Sequence, residues 1–244
     1  MEEIMSKSIA SQLAGLPSQC LRCQRMGSYR VVNICEPCLQ QIPRTENSCR
    51  RCGTPTQRPQ KICGKCINKA VWIDQTLIAC PYSTPLNSWI PALKDNRRLE
   101  FAPVLQQLLL EQALGELDTK IDWILPMPIH WSRRLTRGFN QSEILAKPLE
   151  QALGSQINKR LLARNRRVRS QRNLNRRQRL RNQRGSFYIP TKEAEKLRDR
   201  NILLVEDILT TGATAEQAAK TLKLGQAKTV TLVAVARTPQ PNSF

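Results

Sequence analysis

Ile202-Leu203-Leu204-Val205-Glu206-Asp207-Ile208-Leu209-Thr210-Thr211-Gly212-Ala213-Thr214 is the stretch on which the fold turns. The apolar run over 201–205 predicts a strand buried on both faces. Two carboxylates follow it, then a hydroxyl-rich turn around Gly212. The next residues predict a helix with Ala215, Ala218, Ala219 and Leu222 on one face and Gly225 as its stop. Ligands of parallel α/β sheets bind beyond the carboxyl ends of the strands, which is where the acids fall. Glycine lets a backbone approach closely, and free N–H groups at a helix start favour an anion. A nucleotide-triphosphate loop needs a lysine before its last Ser or Thr; there is none here, so the turn suits one monophosphate. A ribose reconciles acids with a phosphate cradle. Its 2′ and 3′ hydroxyls donate to Glu206 and Asp207 while its 5′-phosphate rests on Thr210, Thr211, Gly212, Ala213 and Thr214. The plainer alternative is a solvated acidic pair with Thr211 as a helix cap. The combination of strand, acids, Thr-Thr-Gly and helix weighs against it.

Outward from this stretch, elements alternate. Residues 229–236 predict a second buried strand and 72–82 an extended segment. Helices are expected at 86–94, 101–117 and 140–153. A strand over 122–125 should end at Pro126-Met127-Pro128, which cannot continue a ladder. Leu161-Leu162-Ala163 is a short strand candidate. The fold class is therefore α/β, a mostly parallel doubly wound sheet. At 244 residues the chain can hold one cored domain and a small appended module. With aromatic residues at 5%, that core must be Leu, Ile, Val and Ala. Four regions are expected: a lead-in over 1–19, a cysteine-rich module over 20–70, the α/β domain over 71–237, and a disordered tail over 238–244. The start at Met1-Glu2-Glu3 shows no targeting pattern, and runs such as 230–236 fall short of the roughly 20 residues that cross a bilayer. A cytoplasmic protein without membrane insertion is the expectation.

Eight of nine cysteines form Cys-x-x-Cys pairs: Cys20/Cys23, Cys35/Cys38, Cys49/Cys52 and Cys63/Cys66. Such a pair places two thiolates on one knuckle, and two knuckles complete a tetrahedral zinc site. Two structural Zn2+ ions are expected, holding a segment too poor in apolar residues to hold itself. Sequential pairing is the first expectation; the spacing also permits a crossed one. An iron–sulfur cluster or redox dithiol would suit one pair better than four. Cys80 is left over and reads as a buried strand residue.

Net charge is +20, and 159–184 holds twelve Lys or Arg residues with no Asp or Glu. Polyanionic partners follow, either nucleic acid or phosphorylated substrates. Two readings of residues 164–184 follow from charge: they bind nucleic-acid phosphates through Arg176, Arg177, Arg179 and Arg181, or they are a solvated basic helix. Trp131, Phe139 and Tyr188 are candidates for stacking on single-stranded bases, and each reads equally as packing.

The 202–214 stretch resembles the signature of type I phosphoribosyltransferases. Arg137-Gly138-Phe139-Asn140-Gln141-Ser142, the preceding Pro126-Met127-Pro128, Gln171-x-x-Leu174, Arg179, Asn182 and Phe187 narrow the resemblance to the ComF/GntX family of competence-related proteins. The cysteine-rich start and the Leu93-Lys94 region fit as well. The likeness spans about 20–237; one departure is Glu206-Asp207 where many members have Asp-Asp. It implies a type I phosphoribosyltransferase fold with phosphoribosyl diphosphate as ligand. Glu206 and Asp207 would hold the ribose hydroxyls and the Thr210–Thr214 turn the 5′-phosphate. Arg133, Arg134 and Arg137 would face the diphosphate, with Mg2+ between the oxygens. Residues 164–184 would correspond to a mobile loop over the site, a third reading in which they close over the substrate with Gln171, Arg179 and Asn182 supplying contacts. The family also implies single-stranded DNA and other DNA-uptake proteins as partners. Two functions stand side by side: ribosyl-phosphate transfer to an unidentified acceptor, or ligand binding in the service of DNA handling. His130, the sole histidine, is given no role.

Overall fold

The apolar runs become the strands β3 (Gln75–Pro81), β4 (Trp123–Pro126), β5 (Gln156–Ile157), β8 (Asn201–Leu209) and β9 (Thr229–Arg237). They form one five-stranded sheet in the order β3-β9-β8-β4-β5, parallel throughout. The computed structural model describes residues 18–27, 33–56, 62–68, 70–165 and 186–239. The expected lead-in before residue 18 and the expected tail from residue 240 lie outside these. Two antiparallel ribbons flank the sheet: β1 (Ser18–Gln19) with β2 (Met26–Gly27), and β6 (Ala163–Arg164) with β7 (Phe187–Tyr188). In chain order the helices are α1 (Glu36–Gln40), α2 (Gly64–Ile67), α3 (Leu86–Asp95), α4 (Ala102–Glu116), α5 (Trp131–Arg137), α6 (Gln141–Leu153) and α7 (Ala213–Leu224).

Each face of the sheet buries its own cluster. On one, Ile90 and Leu93 of α3, Leu105, Leu108 and Leu109 of α4, and Leu145 and Leu149 of α6 cover Leu203, Val205, Val233 and Val235. On the other, Ala215, Ala218, Ala219 and Leu222 of α7 meet Ile202, Leu204, Leu232 and Ala234. Small α7 residues let that helix lie close to the strands, as its periodicity predicts. Each fully buried leucine contributes roughly 1.5–3 kcal/mol, so the three of α4 alone anchor that helix firmly. Gly225 does end α7, though not by a left-handed turn. A Cβ there would collide with Ile189 Cδ1 and lie 2.8 Å from Leu197 Cδ2, so close packing is what requires glycine.

The cysteine-rich module wraps the free edge of β3. Thr45 N–H donates to Ala79 O at 2.9 Å and Thr76 N–H to Arg50 O at 2.6 Å, covering an edge that would otherwise invite pairing with another chain. Gly53 (φ +65°) sits against β3, where a Cβ would meet Ile78 Cγ1 at 2.6 Å and Thr76 Cγ2 at 2.7 Å. Cys80 is fully buried in β3, and burial raises its thiol to about 11.

Several expected boundaries shift. β8 does not end at Val205 but runs on through the acids to Leu209. β9 keeps pairing with it (Glu206 opposite Ala234, Leu209 opposite Arg237), although β4 stops at Pro126 opposite Val205. Leu161 and Leu162 are buried without being a strand; β6 begins at Ala163 and joins β7, outside the main sheet. Helix α5 has no clear signal in the sequence, because it is only seven residues long and buries none of them. Phe101 lies in a 3-10 turn before α4, whose first residue is Ala102.

Candidate functional site

Where β4 ends, β8 continues with one neighbour, and a cleft of ≈ 690 Å³ opens on the vacated side. Its volume falls within the range of about 300–1,000 Å³ usual for small-molecule sites. Glu206, Asp207, Thr210, Gly212, Thr214, Arg133 and Arg137 line it, joined by Lys94, Asp95, His130 and Arg164.

Asp207 forms the floor at 1% exposure. Its Oδ1 accepts the Ile208 N–H at 2.7 Å, and its Oδ2 lies 2.6 Å from Lys94 Nζ. Glu206 is half-buried. Burial pushes its carboxyl up to about 7, against the opposing pull of Lys94, Arg164 and Arg133. The same burial lowers Lys94 to about 8, with Glu206 pulling it back. After Leu209 the chain turns at Gly212 (φ +78°), which caps α7. Thr211 Oγ1 accepts the Ala213 N–H at 3.3 Å, so this hydroxyl serves the turn itself. Neither Thr211 nor Ala213 is among the cleft-lining residues, whereas Thr210, Gly212 and Thr214 are.

The opposite wall is α5 and its supports. His130 caps α5, its Nδ1 accepting the Ser132 N–H at 3.3 Å, and Gly138 (φ +82°) ends the helix. Asn140 is buried; its Oδ1 accepts the Ser142 N–H at 3.1 Å to start α6, and its Nδ2 donates to Met127 O at 3.0 Å. The Arg137–Ser142 motif thus fixes the turn after β4. Arg137 Nη2 pairs with Asp95 Oδ1 at 2.8 Å, and Arg97 Nη2 donates to Thr136 O at 2.8 Å, tying α5 to the end of α3. Arg134 leaves the cleft and pairs with Glu143 at 3.1 Å. Arg164 has a half-buried guanidinium over Phe187, 5.5 Å from the ring, with Nε buried and unpartnered. Its burial, beside Arg133, lowers its pKa.

Gln171, Arg176, Arg177, Arg179, Arg181 and Asn182 lie outside the described residues. The ends of their segment are placed: Asn165 N–H donates to Ser186 O at 2.8 Å, next to the β6–β7 ribbon that carries Arg164. Trp131 and Tyr188 are about half exposed. Sequence reasoning names the Leu93-Lys94 region only as part of the resemblance and gives neither Lys94 nor Arg164 a place in the site. Lys94 ends an ordinary amphipathic helix, and only the fold brings it to residues more than a hundred positions away.

The eight paired cysteines gather as Cys20, Cys23, Cys35, Cys38 and as Cys49, Cys52, Cys63, Cys66, the sulfurs of each set all within 4.8 Å of one another. The sequential pairing is the one formed. Cys35 N–H points at Cys20 Sγ (3.5 Å) and Cys63 N–H at Cys49 Sγ (3.2 Å), the knuckle geometry that supports thiolates. Four thiolates around a divalent ion leave a net negative centre, and the second set has an answering charge. Arg237, at 4% exposure, keeps Nε and Nη1 buried without hydrogen-bond partners. Its Nη2 donates to Thr54 Oγ1 at 3.2 Å, which lies 3.1 Å from Cys52 Sγ. Burial pulls its guanidinium below the ordinary value, and Cys52, Cys49, Cys66 and Cys63 pull it back. Both sets fit structural zinc. Among the described residues they are the only groups of three or more His, Cys, Asp or Glu side chains gathered closely enough to hold a metal.

Residues 14–77 match the model of the double zinc ribbon domain. Over 228 residues the chain is 31% identical to the DNA utilization protein YhgH of Salmonella typhimurium, covering 91% of this chain and 98% of that protein. Competence protein F of Haemophilus influenzae is 27% identical over 212 residues, covering 85% and 92%. Among solved structures, a glutamine phosphoribosylpyrophosphate amidotransferase from B. subtilis, complexed with ADP and GMP, is similar at 16% identity and a TM-score of 0.39. That match covers 59% of this chain and 30% of the other, so the chain spans less than a third of the enzyme's length. No described helix is long and apolar enough to cross a membrane.

Proposed function

This chain belongs to the ComF family of competence and DNA-utilization proteins, and on that footing we propose that its cleft binds phosphoribosyl diphosphate in the service of DNA uptake. The observation that carries the reading is the acidic pair on the unpartnered stretch of β8, beside the Gly212 turn that opens α7. Hydroxyls of a ribose donate to Glu206 and Asp207. The 5′-phosphate lies against Thr210, Gly212 and Thr214 at the start of α7, where unpaired N–H groups and the helix dipole favour an anion. Arg133, Arg137 and Arg164 supply positive charge for the diphosphate on the facing wall.

The arginine segment leaves the described chain at Asn165 and returns at Ser186, at the ribbon that carries Arg164. Single-stranded DNA is the polyanion proposed for it, through Arg176, Arg177, Arg179 and Arg181, with Gln171 and Arg179 also reaching the ligand. Exposed Trp131 and Tyr188 offer faces for base stacking. Other DNA-uptake proteins are proposed partners. Cytoplasmic location follows from this role.

A second reading, a true phosphoribosyltransferase, draws on the size of the cleft and its intact acids. In that reaction the ribose C1–O bond breaks, diphosphate leaves with the electron pair, and an acceptor nucleophile bonds to C1 and gives up its proton. The side chains here would act by position and charge: carboxylates beside the growing positive ring and arginines on the leaving group. The expected Mg2+ would serve the leaving diphosphate in transfer and would not be a condition of binding. The acids themselves do not fit a divalent ion, since Asp207 already pairs with Lys94, and Lys94, Arg164 and Arg133 act on Glu206.

Calorimetric titration with phosphoribosyl diphosphate tests the reading. The wild type should bind, and Asp207→Ala should weaken binding by about a hundredfold, roughly 2.7 kcal/mol. Binding that Asp207→Ala leaves intact would place the ligand elsewhere. Diphosphate release, screened over nucleobases and oligonucleotides, separates the transferase from the binding protein.

A further inference from the structure

The cleft carries its own cation at the place where its acids would otherwise require a metal. Lys94 lies in the last turn of α3, its side chain 18% exposed, with Nζ 2.6 Å from Asp207 Oδ2. Asp207 is 2% exposed in its side chain, and its other oxygen is taken by the Ile208 N–H. Arg137, bound to Asp95, holds the residue next to Lys94 in place. Glu206, Arg137, Asp95 and Arg133 all act on the ammonium electrostatically. It therefore stands between the acidic pair and the arginines of α5.

A divalent ion arriving at the acids would have to displace this ammonium, then sit among Arg133, Arg137 and Arg164. The ion would itself compensate Asp207, but the displaced ammonium would lose its partner beside Arg133 and Arg137, and the ion would add further like charge there. The contact with Asp207 is an ion pair, and Oδ2 has no hydrogen-bond partner. The ammonium has three N–H donors to offer ligand oxygens on the open side of the cleft. One fixed group thus neutralises Asp207 and donates to the ligand, two tasks that a bound metal would otherwise combine.

We propose that Lys94 is the resident cation of the ribose end of this site, so that phosphoribosyl diphosphate is held there without a divalent ion on the acidic pair. The proposal rests on the ribose-phosphate reading above. Its test is calorimetry with phosphoribosyl diphosphate on the full, zinc-loaded chain, in resin-treated buffer free of divalent ions and again with millimolar Mg2+. For the wild type, the two dissociation constants should agree within about threefold. Lys94→Met should bind about tenfold more weakly without Mg2+, the scale of a missing charge-assisted hydrogen bond, and regain affinity when Mg2+ is added. Lys94→Arg, which keeps the charge, should retain metal-free binding. A wild type that binds only with Mg2+ overturns the proposal and leaves the ligand assignment standing. So does a folded Lys94→Met that matches the wild type in both buffers. A wild type that binds in neither buffer overturns the ribose-phosphate reading itself, and this proposal with it. Zinc content and melting temperature identify a variant that has failed to fold; the wild-type pair of titrations then decides alone.

Discussion

Glu206 is the residue whose ionisation the site has to manage. Burial raises its carboxyl to about 7, while Lys94, Arg164 and Arg133 face it and restrain the rise. A protonated carboxyl accepts hydrogen bonds from ribose hydroxyls poorly, so affinity for phosphoribosyl diphosphate should climb as pH rises through about 7. Titrations across pH 6 to 8 check this, and Glu206→Gln should remove the step, separating it from titration of the ligand's own phosphate. Folding runs the other way. Because the folded carboxyl is raised from 4.5 to about 7, the free protein loses stability as pH rises through that interval. The pair Glu206-Asp207 is plain in the sequence because apolar run, acids and turn are contiguous. Lys94 is not, since nothing local distinguishes a lysine near the end of a helix from a solvated one.

Among the elements, β9 joins the two halves of the chain. The backbone of its last residue, Arg237, is in register with Leu209, just before the Gly212 turn; the side chain reaches toward the second cysteine set. Arg237→Met should therefore weaken zinc retention at that set alone. We expect extraction of one of two ions by a chelator to become about tenfold easier, the usual scale for a group supporting a metal's ligands. Metal analysis during chelator titration reads this directly, and equal loss of both ions would contradict it. Long elements are legible: α7 over Ala213–Leu224 and the buried strands follow from unbroken periodicity. Helix α5 is not, because a short exposed helix owes its shape to caps at His130 and Gly138 rather than to a buried face. The persistence of β8 past its acids is hidden for a similar reason, since a partner strand rather than local composition sustains it.

Across the whole molecule, charge is strongly concentrated, with twelve of thirty-nine cationic residues within 159–184. Neutralising Arg176, Arg177, Arg179 and Arg181 should weaken single-stranded DNA binding and lower the salt slope by about 0.7 for each arginine–phosphate pairing removed. An unchanged slope measured by fluorescence anisotropy would exclude these four from the DNA surface. The four cysteine pairs announce a zinc module from spacing alone. That the module shields the edge of β3 is hidden, because the bonds of Thr45 and Thr76 join segments of unrelated pattern. The closure of Asn165 onto Ser186 has a consequence for what the sheet tolerates. The residues between them begin and end at one hydrogen-bonded pair, so their length and content are uncoupled from the register of the main sheet. A variant altered in length or sequence between them should therefore keep Glu206 opposite Ala234 in the sheet.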